Sequence, residues 1–174
     1  DEIAPGVWRA NQPSAAKLAH YTRTLRLRAV LNLRGATGNS HYLFEREACE
    51  ALDLSLVDIK LHARALPLPD TLLGLFDAFE VIPRPFLMHC KSGSDRAGFA
   101  AALYLLHIEG KPLAEARSQL SWRYLHAHWT KTGILDHFFE AYAADTAEAS
   151  MPIRDWVATR YDRDRVRAQY REAV

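Results

Sequence analysis

The stretch that most constrains the fold runs from Phe86 to Leu103. Phe86-Leu87-Met88-His89 is a short apolar run behind Pro83 and Pro85, the pattern of a buried strand. Ala97 to His107 is rich in alanine and leucine and predicts a helix. Between them, Cys90-Lys91-Ser92-Gly93-Ser94-Asp95-Arg96 is a tight loop. Such a loop turns successive backbone N–H groups inward and forms a nest for an anion. The N-terminus of the following helix adds positive dipole character. Gly93 lets the backbone turn where a side chain would clash. Arg96 offers a planar fork that holds two phosphate oxygens at once. Cys90, at the mouth of this field, is favoured as thiolate, the nucleophilic form.

The loop His89-Cys90-Lys91-Ser92-Gly93-Ser94-Asp95-Arg96 resembles the signature of the cysteine-dependent protein-tyrosine and dual-specificity phosphatases. Gly6-Val7-Trp8-Arg9-Ala10-Asn11-Gln12-Pro13 and Val30-Leu31-Asn32-Leu33-Arg34-Gly35 resemble the opening segments of compact bacterial members. The resemblance implies a central sheet flanked by helices, a phosphocysteine formed on Cys90, and no metal or other cofactor. It implies a supporting role for His89, which shapes the loop around Cys90. Lys91 adds positive charge, and Lys91, Ser92, Gly93 and Ser94 would line the bound phosphate. The Cys-Lys-x-Gly start is shared with lipid phosphatases of the same superfamily. The substrate class thus stays open between phosphorylated protein and phosphoinositide or another small phosphate ester.

Breaking a phosphate ester requires a proton for the leaving oxygen and later a base for water. Three carboxylates compete for that role. Asp58 lies 32 residues before Cys90 (90 minus 58), the spacing of the acid in dual-specificity members, but inside an apparent strand. Asp70 ends an irregular loop and reads more simply as a helix N-cap. Asp95 sits within the loop itself, as in myotubularin-type lipid phosphatases, where the corresponding aspartate is taken as the proton donor. A bound phosphate beside it would favour its protonated form. Asp95 is the preferred acid, with Asp58 and Asp70 as alternatives. Ala97 departs from the family pattern, in which a serine or threonine hydroxyl follows the arginine and stabilises the departing thiolate. The alanine predicts slow breakdown of the phosphocysteine, or a module that binds phosphate and barely turns over.

The rest of the chain reads as alternating strands and helices. Val7-Trp8-Arg9, Ala29–Leu33 and Leu54–Leu61 read as strands. Helices are expected over residues 15–26, capped by Ser14, and from Phe44 to Leu52 with Glu45, Arg46, Glu47 and Glu50 outward. A further helix runs from Asp70 through Phe79. Helices then follow from Lys111-Pro112 to about Tyr124, from Thr132 to Ala144, and in two pieces from Met151 to Glu172, with an aromatic and basic connector at Trp122–Trp129. The fold class is α/β: a mostly parallel sheet of about four to five strands flanked by helices, with a helical C-terminal part. Ligands in such sheets sit at the carboxyl ends of the strands. Arg34 and Arg64, on loops at that edge, are candidate substrate contacts.

The 174 residues suit one domain spanning 1–174. A net charge of +1 gives no global field for nucleic acid or for a membrane surface. The apolar runs are too short to span a bilayer, so no stable membrane insertion is expected, and Asp1 opens no signal-peptide pattern. Histidines such as His126 and His128 lack the carboxylate spacing of a metal site. Cys49 and Cys90 do not form a disulfide framework. Cys49 reads as packing, and a reducing cytoplasm is the natural setting for Cys90.

Overall fold

In the computed structural model, which describes residues 1–173, the strand before the cysteine loop is the centre of the sheet. Every residue of β5 (Phe86–Cys90) is buried, as its unbroken apolar run requires of a strand covered on both faces. It pairs in parallel with β2 (Val7–Asn11) on one side and β3 (Ala29–Asn32) on the other. Outside β3 lies β4 (Ser55–Asp58), also parallel. Outside β2 lies β1 (Glu2–Ala4), antiparallel. The order is β1-β2-β5-β3-β4. The three-residue β1 has too little pattern to stand out in the sequence.

Side-chain alternation divides the core into two layers. Val30 and Leu87 face α1 (Ala15–Leu25) and α2 (Ser40–Ala51), where they pack with Leu18, Leu27, Cys49 and Leu54. Leu31, Met88 and Cys90 face the larger layer, built from α3 (Pro69–Val81), α4 (Asp95–His107) and the C-terminal helices. From Ala97 to Leu105 α4 is buried all round, which makes it the axis of that layer.

Several local readings hold and others shift. Ser14 caps α1, its side chain accepting from the Lys17 N–H. Helix α2 starts four residues earlier than its periodicity suggests, at a cap supplied by Asn39. With that phase, Glu45 turns inward at 4% exposure, whereas the sequence placed it outward; Phe44 is the exposed neighbour. Asp70 is not a cap. Leu68 occupies that position, Pro69 opens α3 with its preset φ, and Asp70 lies in the first turn. The helix expected to reach Tyr124 is cut short as α5 (Leu113–Arg117), and a 3-10 turn follows at Trp122–Tyr124.

The C-terminal part closes the larger layer through α6 (Ile134–Asp145), α7 (Ile153–Thr159) and α8 (Arg163–Ala173). Trp156 is fully buried, stands edge-on to Phe138, and donates from Nε1 to Asp145 at 2.8 Å. The arginine-rich end is not simply a solvated face. Arg165 pairs with Asp145, Arg163 donates to the Leu66 carbonyl at 2.9 Å, and the Tyr161 hydroxyl donates to the Pro67 carbonyl at 2.9 Å. The last two bonds tie down the loop between β4 and α3. Trp156→Ala should lower stability by about 4 kcal/mol and the unfolding midpoint by roughly 10 °C, read by thermal denaturation.

Candidate active site

The loop from Cys90 to Arg96 sits at the carboxyl end of β5, in the middle of the sheet edge. Gly93 has φ +78°, and a Cβ there would lie 2.6 Å from the Asn11 nitrogen and 2.8 Å from the Ala10 carbonyl carbon. Both the turn and the backbone of β2 therefore demand glycine. The Gly93 N–H donates to the Cys90 sulfur at 3.3 Å. Cys90 is 1% exposed, and its Sγ is the floor of the loop rather than its rim.

What holds the loop is Arg9, a residue whose role the sequence reading missed. Its guanidinium donates to the carbonyls of Gly93 at 2.7 Å and Ser94 at 3.1 Å. It also donates to Gln119, to the carbonyl at 2.8 Å and to Oε1 at 2.9 Å, and it lies over the Tyr124 ring. Burial pushes its pKa down to about 10, so it remains charged at neutral pH. The signal was present in the sequence: strand alternation sets Arg9 on the same inward face as Val7.

His89 braces the loop from the other side of the sheet. Its Nδ1 faces the Cys90 carbonyl at 3.2 Å and its Nε2 lies 2.6 Å from Glu45 Oε1. The second oxygen of Glu45 accepts from Gln12 at 3.1 Å, and Gln12 in turn accepts from Arg34. A chain of polar groups thus runs from the Cys90 carbonyl to Arg34. Arg34, Lys91, His41 and the exposed Phe44 line a cavity of about 540 Å³ beside the loop, with Glu45 also on its wall.

The three candidate acids are placed differently. Asp58 ends β4, two strands from β5 and hence about 10 Å to the side. Its oxygens accept from Asn32 at 2.8 Å and from the Tyr42 hydroxyl at 2.7 Å. Asp70 is exposed in the first turn of α3 and lines neither this cavity nor the neighbouring cleft. Asp95 opens α4 within the loop. Its Oδ1 lies 2.7 Å from Nδ1 of His126, and Nε2 of His126 lies 2.6 Å from Asp136 Oδ2. In the sequence His126 reads as no metal ligand, for want of a carboxylate at matching spacing; only the fold brings it together with Asp95 and Asp136.

The remaining predicted residues divide cleanly. Arg96 lines a second cleft, of about 440 Å³, with His62 and Arg64, so the fold brings the two arginines to one mouth. Among the described residues, Lys91, Arg64 and Arg96 form no side-chain hydrogen bond or ion pair. Ser92 is exposed on the rim, while Ser94 is buried with its hydroxyl unpartnered. Ala97 is fully buried under the loop. Cys49 packs in the opposite layer from Cys90, and burial pushes its thiol up to about 12. No helix among the described residues is long and apolar enough to cross a membrane.

Burial alone would push the His126 pKa down, but hydrogen bonds and charge from Asp136 and Asp95 outweigh it and raise the group from 6.5 to about 9. The stabilisation from this cation is complete below 6.5 and disappears as pH rises through 9. The stability gap between wild type and His126→Gln should therefore narrow across that window, as followed by unfolding midpoints against pH.

Residues 70–113, which span α3, β5, the loop and α4, match the model of the tyrosine phosphatase family. No curated protein matches the sequence. Among solved structures, the chain is similar to TpbA of P. aeruginosa, with 18% identity and a TM-score of 0.61 over 95% of this chain and 86% of that one. It is similar to the core catalytic domain of the PP-IP phosphatase SIW14 from S. cerevisiae, with 13% identity and a TM-score of 0.62 over 87% and 94%. Human DUSP28 shares 17% identity at a TM-score of 0.59 over 83% and 99%. These likenesses concern the fold, and the family match falls on the segment that carries Cys90 and Arg96. The chain thus carries, over residues 70–113, a segment that matches the tyrosine phosphatase family, within a fold similar to that of solved phosphatases of the tyrosine and dual-specificity type.

Proposed function

We propose that residues 1–174 act as one phosphatase domain that hydrolyses phosphomonoesters through a phosphocysteine on Cys90, with phosphotyrosyl or related protein phosphoesters as the first substrate class. The observation that carries the reading is the loop. A sulfur sits at its floor beneath the Gly93 N–H, and an uncommitted Arg96 stands at its mouth. Cys90 attacks phosphorus in line as the ester oxygen departs. The loop amides and Arg96 hold the equatorial oxygens while charge develops on them. Asp95 protonates the leaving oxygen through Oδ2, since Oδ1 is engaged with His126. Asp95 then takes a proton from water, which attacks the phosphocysteine and releases phosphate and the thiolate.

Two features support this reading, one for the acid and one for the substrate class. Asp95 is the candidate carried by the loop itself, whereas Asp58 has both oxygens engaged and Asp70 lines neither cavity at the loop. A cysteine-to-serine variant of TpbA has been solved in complex with phosphotyrosine, and TpbA shares this fold. The reading also sets the protein in a reducing compartment such as the cytoplasm, where a thiolate persists.

A second reading is favoured by the cavity of about 540 Å³. Arg34 and Lys91 there, beside Phe44, suit a compact substrate with more than one anionic group, such as a phosphoinositide or another small phosphate ester. Comparing kcat/KM for a phosphotyrosyl peptide and for a soluble phosphoinositide separates the two.

Phosphate release from an aryl phosphate tests the common core of both readings. Wild type should show a stoichiometric burst followed by slower turnover, and Cys90→Ser should show neither. Because Ala97 offers no hydroxyl to the departing thiolate, Ala97→Ser should speed the slow phase, by about ten- to a thousandfold on the analogy of oxyanion donors. A burst with no turnover, unrelieved by Ala97→Ser, would favour a phosphate-binding module. Absence of both burst and turnover in the folded, reduced protein would overturn the catalytic reading on such substrates.

A further inference from the structure

The connector after α5 contributes one buried polar side chain, His126, which is 2% exposed. Both of its ring nitrogens are taken by carboxylates: Nδ1 by Asp95 of the cysteine loop at 2.7 Å, and Nε2 by Asp136 in the first turn of α6 at 2.6 Å. A ring placed between two carboxylates in this way donates from both nitrogens and cannot rotate without losing both bonds.

We propose that His126, anchored by Asp136, is a positioning residue for the reaction. It fixes Asp95 so that Oδ2 alone is left to exchange a proton with the substrate. The proposal rests on the reading of Asp95 as the proton donor. The physical need for it lies in the loop. Asp95 is followed directly by Arg96, whose guanidinium has no partner among the described residues. As consecutive residues in the first turn of α4 the two side chains do not face each other. The bond to His126 holds Asp95 in that separation and leaves Arg96 for the phosphoryl group. The other charged group at this point is Arg9 of β2, and its donors are committed to the Gly93 and Ser94 carbonyls and to Gln119.

Asp136, on the far nitrogen, holds the His126 ring in place against Asp95.

The test uses His126→Gln and the milder Asp136→Asn, with folding of each checked by circular dichroism. The readouts are kcat/KM on aryl phosphates of good and poor leaving ability, and its pH profile. His126→Gln should lose about ten- to a hundredfold on the poor leaving group and much less on the good one, which needs no proton. Its alkaline limb should move, because Asp95 loses the charged group it is held against. Asp136→Asn should change both readouts in the same sense by less. Equal losses on both leaving groups with an unmoved limb, in folded variants, would overturn the proposal. If His126→Gln does not fold, Asp136→Asn alone decides on the same criteria. Asp95→Asn separates the two levels. If it shows no leaving-group dependence, the reading of Asp95 falls and the proposal with it. If it shows the dependence and the His126 and Asp136 variants do not, the proposal alone falls.

Discussion

A single buried guanidinium organises the catalytic edge of this protein. Arg9 draws the carbonyls of Gly93 and Ser94 down toward β2. A peptide group whose C=O is held on one side presents its N–H on the other, so anchoring these carbonyls turns the loop's amides toward the mouth. The same side chain reaches Gln119 and the face of Tyr124, which fixes the connector against the loop. Leaving such a cation buried without its acceptors would be costly. The close approach of the loop to β2, which only glycine at position 93 permits, is therefore both cause and consequence of the bond set.

Around this anchor the charges are sorted. Arg84, Arg117, Arg154 and Arg165 are engaged with carboxylates elsewhere on the molecule. Lys91, Arg64 and Arg96, at the carboxyl edge of the sheet, are not. The carboxylates beside the loop face inward onto histidines: Glu45 onto His89 and Asp95 onto His126. With an overall charge of only +1, the positive field at the mouth arises from placement and not from composition.

How much of this was legible in the sequence follows from how local each feature is. The strand, loop and helix around Cys90 are contiguous, so pattern and turn chemistry reveal them together. Strand and helix order followed from the same periodicities, and their ends moved by a few residues where a cap such as Asn39 or Leu68 overrode them. The supports for the loop are a different matter. Glu45 lies 44 residues from its partner His89 (89 minus 45), and Asp95 lies 31 from His126 (126 minus 95). A charged residue on a helix reads as solvated until a distant partner is known. Arg9 alone carried a local hint, in its inward phase on a strand.

The two-layer core also bears on how the protein meets oxidants. A thiolate at the floor of an anion site is reached by peroxide only through the mouth of the loop, and peroxide converts it to a sulfenic acid. Rescue by a disulfide requires a second thiol close by with its Cβ facing the first. Cys49 packs on the opposite face of the sheet, with β-strand backbone and the side chains of β3 and β5 in between. An oxidised Cys90 has no partner of its own in the chain, so its recovery depends on small thiols that enter through the same mouth as the substrate, and a bound phosphate shields it from both.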